Sequence, residues 1–459
     1  MIHSKSPIVL QSLKTKFERF FDLSGKKIRA IDRGWDASKG APVFTARGRY
    51  VTRGWTEWTQ GFQFGSALLQ FDATGDRWFL EYGRKNTVRI MASHVSHMGV
   101  HDHGFNNVST YGNLLRLMTE GRLERNAAER NFYELALKCS GAVQAARWSR
   151  IKDGRGFIYS FNGPHSLFAD TIRSLRSLAL AHRLGHVLMG EMDRRISLLE
   201  RLIHHAEVTA QHAVYYGEGR DHYDVCGRVA HESIFNMNDG QYRCPNTHQG
   251  YSPFSTWTRG LAWILCGYAE ELEFLVTLSD QELTLFGGRK KIEGFMLKAA
   301  QAVADFYIQN TPSDGIPFWD TGAPNLVRLS NHLGKASDPF NDQEPVDSSA
   351  AAIAAQGLWR LGNYLASRKR LKEGQHYQQA ALVIAQTLFD SPYLSEKSSH
   401  QGLILHSVYH RPNGWDYIPS DRKIPCGESS MWGDYHAREL ALLLWRQIQQ
   451  KPYLTFFNI

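Results

Sequence analysis

Thr247-His-Gln-Gly-Tyr-Ser-Pro-Phe-Ser-Thr-Trp-Thr-Arg-Gly-Leu-Ala-Trp263 runs from a polar loop into a helix within seventeen residues. Ser255 or Thr256 can cap that helix, because a hydroxyl there accepts one of the unpaired N–H groups of the first turn. Arg259 and Trp263 are four apart and share a face. A cation buried beside two indoles, Trp257 and Trp263, is costly to place for packing alone. With Gln249 alongside, the face suits an anionic, ring-shaped ligand.

The same arrangement recurs along the chain. Polar or aromatic residues open helices at Trp58, Asp102, Asp170, Trp257, Asp347 and Trp432, about 75 residues apart. Between them the apolar spacing is helical, as in Leu175, Leu178, Ala179 and His182, or Ala351, Ala354, Ala355, Leu358 and Leu361. Asp347 is expected to cap its helix. The first helix is expected over Ile8 to Phe21. Lys152 to Asn162 reads as a loop or short hairpin, and 217–246 as two short strands turning at Asp239-Gly240. Helices in pairs, with polar starts on alternate members, fit six helical hairpins closing on themselves. The expected fold is all-α, an (α/α)6 barrel, with residues 1–45 as an N-terminal helix and connector and 46–459 as the barrel, one domain overall.

The chain has 459 residues, 42% hydrophobic and 21% charged, with a net charge of +8. That is an ordinary globular composition. The positive charge is spread in short clusters, so no nucleic-acid partner is expected. No run of eighteen apolar residues suggests a membrane span. The N-terminus lacks the apolar core and cleavage site of a signal peptide, so a cytoplasmic protein is expected. The five cysteines form no C-x-x-C pair, which indicates neither a disulfide framework nor a zinc site. The absence of G-x-S-x-G, G-x-G-x-x-G and P-loop motifs disfavours a serine hydrolase and the use of dinucleotide or ATP. No cofactor is expected.

Asp102 and Asp170 each stand at a helix start, where a carboxylate serves as an N-cap or, if the two meet, as half of an acid–base pair with split pKa values. His101 and His103 have metal-ligand spacing, but no further ligands cluster with them, so no metal is expected. Trp55, Trp58, Trp257 and Trp263 fit either a core or the aromatic wall of a sugar site.

Several stretches resemble the unsaturated glucuronyl hydrolases of glycoside hydrolase family 88. They are Trp58-Thr-Gln-Gly-Phe62, His101-Asp-His-Gly-Phe105, the opening block, Asp347-Ser-Ser-Ala-Ala-Ala-Ile-Ala-Ala355, Leu405-His-Ser-Val-Tyr-His-Arg-Pro-Asn-Gly414 and Ser430-Met-Trp-Gly-Asp-Tyr435. The resemblance implies an (α/α)6 barrel. It also implies hydration of the C4=C5 bond of a 4,5-unsaturated uronic acid at the non-reducing end of a lyase-made oligosaccharide. Carried over by position, the principal acid/base falls on Asp170 and the second active-site carboxylate on Asp102. Substrate contacts fall on His231, Gln249, Trp257, Arg259, Trp263 and Trp58, and Arg259 is expected to meet the uronate. His103 replaces a more usual aliphatic residue, so the surroundings of Asp102 are expected to titrate differently. Residues 410–415 lack the Ser-x-x-Ser-x-Lys pattern of members that take sulfated substrates, which favours an unsulfated or lightly sulfated one. The insertion 415–426 is expected to reshape the leaving-group side. Alternatives are a rhamnogalacturonyl hydrolase, an epimerase of similar shape, or a carbohydrate-binding barrel without activity.

Overall fold

Two kinds of helix alternate along the chain, and burial separates them. The computed structural model describes residues 1–2, 6–54 and 57–459, so Trp55 lies outside the described residues. The odd-numbered helices are amphipathic: α1 (Lys14–Gly34), α3 (Arg77–Ile90), α5 (Ala127–Ala146), α7 (Leu198–His212), α9 (Arg289–Gln309) and α11 (Leu371–Leu388). Each buries one stripe and leaves its other face in water. The even-numbered helices are buried almost all round. They are α2 (Gln60–Thr74), α4 (His103–Asn107, a π turn at Val108–Gly112, then Asn113–Thr119), α6 (Thr171–Ser174 running into Arg176–Arg183), α8 (Thr258–Val276), α10 (Ser348–Ser367) and α12 (Met431–Ile448).

The buried set forms a closed ring. Each inner helix touches the next, and α12 returns to α2. The odd helices pack outside, α1 closing the outer ring against α12 and α2. This is the expected (α/α)6 barrel. The first helix is longer than its sequence suggested, running to Gly34. Phe17 and Phe20 of α1 pack on Phe389 at 5.5 and 4.6 Å between ring centroids, inside the same core as the other helices.

Small residues set how closely the ring closes. A Cβ on Gly61 of α2 would lie 2.4 Å from the Asn106 carbonyl oxygen of α4, and one on Gly104 of α4 2.2 Å from that of Ser174 on α6. The same holds for Gly267 of α8 against α6 and Gly357 of α10 against α8, both with a backbone nitrogen at 2.9 Å or closer. Gly433 of α12 meets Ser349 of α10 at 3.0 Å, and Gly65 of α2 meets Tyr435 of α12 at 2.9 Å. One glycine thus stands at each of the six inner contacts.

With side chains forced inward, the barrel axis carries charge that must be paired within the protein. Arg173 of α6 reaches Glu270 of α8 at 2.7 Å and Glu439 of α12 at 3.2 Å, and Arg360 of α10 reaches Glu273 at 2.7 Å. Burial opposes ionisation of Glu439, but Arg173 and Arg176 overcome it and hold its pKa at about 2.

Short strands cover the end where the inner helices start. A hairpin of β1 (Phe44–Ala46) and β2 (Arg49–Val51) bridges to Ser430. β3 (Trp148–Arg150) pairs with β4 (Gly156–Ile158), a hairpin that begins four residues before the stretch expected to hold a loop or hairpin. β5 (Ser166–Phe168), β8 (Glu232–Phe235) and β9 (Tyr242–Asn246) form a three-stranded antiparallel sheet, with Asp239-Gly240 in the turn between the last two. A small hairpin, β6 (Leu188–Met189) with β7 (Arg195–Ile196), lies between α6 and α7. Among the described residues no helix is long and apolar enough to cross a membrane.

The ring contact predicts a contrast between two glycines. Gly104→Ala is expected to destabilise the fold by about 3 kcal/mol, because only backbone could move to admit the methyl group. Gly294→Ala, on α9 with nothing within 4 Å of the added atom, is expected to stabilise by about 0.5–1 kcal/mol. Denaturant unfolding of the two variants measures both.

Candidate active site

The ring directs the starts of its helices to one mouth, and the strands there bring in the remaining residues. Antiparallel register sets Phe168 opposite Glu232 and Glu232 opposite Asn246. Three chain directions therefore leave the sheet side by side: Asp170 into α6, His231 just before β8, and Thr247 to Gln249 just after β9. The Ala169 N–H donates to the His231 carbonyl at 2.8 Å. His231 Nδ1 accepts the N–H groups of His248 and Gln249 at 3.0 and 3.1 Å.

Asp102 and Asp170 occupy N-cap positions, yet neither side chain caps its helix. Both turn instead toward His101, whose Nε2 lies 3.6 Å from Asp102 Oδ1 and 3.3 Å from Asp170 Oδ1. These are ion-pair distances without aligned hydrogen bonds. All three groups are buried. Burial works against a charged imidazole, but the two carboxylates outweigh it and raise the His101 pKa above its ordinary value. The carboxylates part company. Burial and the neighbouring Asp170 raise Asp102, with His101 opposing. Burial also works on Asp170, but the His101 contact and the nearby His231 hold it below the usual aspartate range. Asp102 is thus the carboxyl that holds a proton more readily and Asp170 the one that ionises more readily, with an imidazole between them whose charged form is favoured.

These groups line a pocket enclosing about 620 Å³, counted to its open mouth. Its walls are aromatic. Trp58 stacks on Trp432 at 5.1 Å, and Phe105 packs on Trp263 at 4.8 Å. Of the residues singled out in the sequence, Trp58, Asp102, Asp170, Gln249, Trp257, Arg259 and Trp263 all reach the pocket. His231 lies behind its wall, between Phe168 and Trp257 at 4.6 and 4.5 Å. Burial pushes its pKa down to about 3, so it is neutral. With Nδ1 accepting two N–H groups, its proton sits on Nε2.

Arg259 reaches the pocket already paired within the protein. It is not an uncommitted anchor for a uronate. Its Nη1 donates to Asp347 Oδ2 at 2.9 Å and to the Val408 carbonyl, and its Nη2 donates to Gln249 Oε1 and the Tyr409 carbonyl, both at 2.8 Å. A guanidinium buried this deeply needs its charge matched, and Asp347 matches it while accepting the Ser349 N–H at 3.0 Å as the expected cap. Because Gln249 accepts from Arg259, its amide NH2 is the end left to face the pocket. Two smaller expectations also change. The helix at the opening stretch begins at Thr258 with Trp257 as its uncapped N-cap, and Thr256 spends its hydroxyl on the Val229 N–H at 3.2 Å. His103 turns away from Asp102, contacting Ser140 Oγ at 3.0 Å and the His97 carbonyl at 2.9 Å. Burial pushes it to about 4, leaving it neutral.

His101 is the main site group that the sequence does not single out, since its spacing from His103 points only to a metal. Among the described residues no cluster of three or more His, Cys, Asp or Glu could hold a metal ion. Phe161, His248, Tyr409, His410 and Trp415 also line the pocket unforeseen. Three of them, Tyr409, His410 and Trp415, come from an irregular segment where no periodicity marks a site residue.

No family model matches the chain. It is 24% identical over 386 residues to an unsaturated glucuronyl hydrolase from Formosa agariphila, covering 83% of this chain and 78% of that one. It is 26% identical over 412 residues to the unsaturated glucuronyl hydrolase of Bacillus sp. strain GL1, covering 87% and 89%. The crystal structure of the Bacillus sp. GL1 enzyme superposes with a TM-score of 0.70 at 22% identity, over 94% of this chain and 97% of that one. The chain is a distant relative of the unsaturated glucuronyl hydrolases and carries their fold along nearly its whole length.

Proposed function

We propose that this protein is an unsaturated uronyl hydrolase, a glycoside hydrolase that hydrates the C4=C5 bond of a 4,5-unsaturated uronic acid at the non-reducing end of an oligosaccharide. The observation that carries the reading is the pair Asp102 and Asp170 set about His101 at the bottom of an aromatic-walled pocket. Solved relatives hold dGlcA-Glc-Rha-Glc in one case and dGlcA-GalNAc6S in another, which supports an unsaturated oligosaccharide as the ligand class.

The chemistry follows from the alkene. C4=C5 is an enol ether, since C5 carries the ring oxygen. Protonation at C4 leaves an oxocarbenium-like centre at C5, and water captures it. The hemiketal so formed opens and releases the leaving group. One carboxyl delivers the proton to C4, and its carboxylate takes a proton from the attacking water, so the catalyst is restored. Asp170 takes this role by the resemblance, with Asp102 and His101 as the reservoir that shares its proton; the three titrate as a unit. Gln249 offers its NH2 group to the substrate, held by Arg259. Trp58, Trp257 and Trp263 enclose the sugar ring.

Incubation with unsaturated disaccharides from hyaluronan, chondroitin, heparin, gellan, xanthan and pectin, followed by ultraviolet absorbance, tests the activity. At least one is expected to lose its alkene signal, and a panel that stays unchanged refutes the reading. An isomerised product with the alkene intact would point to an epimerase, and binding without turnover to a lectin-like barrel. Asp170→Asn is expected to lower kcat by about 100-fold or more with the fold intact. A fully active variant would remove Asp170 from the mechanism.

The pH dependence has a fixed sign. Asp170 must hold the proton that it delivers to C4, so its titration sets the alkaline limb of kcat/KM, and His101 holds that limb toward low pH. His101→Gln removes that influence and releases Asp170 upward, so the alkaline limb moves to higher pH. Profiles of the two proteins measure the shift; an unmoved limb would uncouple His101 from Asp170.

A further inference from the structure

Asp320 does not line the pocket; it is completely buried in the connector between α9 and α10. Backbone holds that connector from both sides. The Thr321 N–H donates to the Thr256 carbonyl at 2.9 Å, and the Thr258 N–H to that of Trp319 at 3.1 Å. On the other side the Trp319 N–H donates to the Pro345 carbonyl at 3.1 Å. The stretch 319–321 is therefore laid between the starts of α8 and α10, two members of the inner ring. From there the Asp320 carboxylate reaches the turn 247–251. Its Oδ2 accepts the Tyr251 N–H and its Oδ1 the Gly322 N–H, both at 2.8 Å. Burial raises its pKa to about 6, with those two N–H groups opposing, so it is a carboxylate at neutral pH.

The contact completes a set. The His248 and Gln249 N–H groups go to His231 Nδ1, the Gly250 N–H goes to Thr247 Oγ1 at 2.8 Å, and the Tyr251 N–H goes to Asp320. Four successive backbone donors are thus each taken by a side chain. His231 fixes the near end of the turn and Asp320 the far end. Nothing between them has slack: a Cβ on Gly250 would lie 2.6 Å from Thr247 Oγ1 and 3.0 Å from both Asp320 Oδ2 and Trp257 Cβ. Gln249 sits inside this span. Its Oε1 meets Arg259 Nη2 at 2.8 Å, and its NH2 faces the pocket only while the backbone beneath it stays where that contact can form. We propose that Asp320 is a positioning residue for substrate binding, holding the turn 247–251 so that Gln249 presents its NH2 group to the uronyl ring. The inference rests on the hydrolase reading and adds to it a residue that acts from behind the pocket wall.

The test reads kcat and KM separately on an unsaturated disaccharide that the wild type consumes, because KM does not depend on how much of the protein is folded. Gln249→Ala is expected to raise KM about tenfold with kcat little changed, as befits one lost hydrogen bond made equally before and in the transition state. Asp320→Ala is expected to raise KM about fivefold, again with kcat little changed. On the Gln249→Ala background the same substitution is expected to add little, since the turn then has no amide to present. A merely structural role would instead add its full effect there. Asp320→Asn fills the same space and keeps one acceptor oxygen. Its KM is expected between those of the wild type and Asp320→Ala, and it carries the same comparison if the alanine variant does not fold. An unchanged KM, or a rise that persists in full on the Gln249→Ala background, overturns the inference and leaves the hydrolase reading standing. A wild-type protein inert on the whole disaccharide panel overturns the hydrolase reading and the inference together.

Discussion

Six close contacts, each made at a glycine and four of them against backbone, hold the inner ring at its diameter. Where Gly104 meets Ser174 or Gly61 meets Asn106, a side chain of any size would push backbone against backbone. Close-packed interiors transmit such a displacement instead of absorbing it. The ring is what brings Trp58, Asp102, Asp170 and Trp257 around one space, since each sits one turn or less from the start of an inner helix. The spacing of the pocket walls is therefore inherited from contacts away from the chemistry.

A ring of buried helices leaves polar groups on its axis that water cannot reach. The protein meets this constraint differently at the two levels of the barrel. Within the helices, arginines of α6 and α10 pair with glutamates of α8 and α12. At the mouth the balance is less complete. Arg259 is matched by Asp347 and by three carbonyl or amide oxygens. Asp102 and Asp170 share a single imidazole. Two carboxyls competing for one cation cannot both be comfortable as anions, and their pKa values separate for that reason. The uneven pairing at the mouth is the part of the electrostatics that suits proton transfer; the Arg–Glu pairs below it are structural.

Much of this was legible in the sequence. Helix starts at Trp58, Asp102, Asp170, Trp257, Asp347 and Trp432 show as polar or aromatic residues entering apolar runs, because a helix N-terminus leaves donors to be met. Asp347 was read as a cap and is one. Seven of the eight residues singled out by resemblance reach the pocket. His231, the eighth, forms the support behind it. Less was legible in the segment 402–427, where no periodicity guides a reading and side-chain direction depends on the turn around Gly414 and Asp416. His101 was overlooked because the residue beside a motif aspartate looks like its neighbour His103. Only the fold shows that one faces the pocket and the other faces Ser140.

The sequence by itself determined the all-α class, the six-fold alternation and the chemical types gathered at the helix starts. These follow from local periodicity and from the hydrogen-bonding needs of helix ends, which neighbouring residues express. The tertiary structure alone decided that the two aspartates meet across one histidine. It also decided that Arg259 is already paired. Each of these depends on groups far apart in the chain. Their pKa values and partners come from burial and proximity, which arise only when the ring has closed.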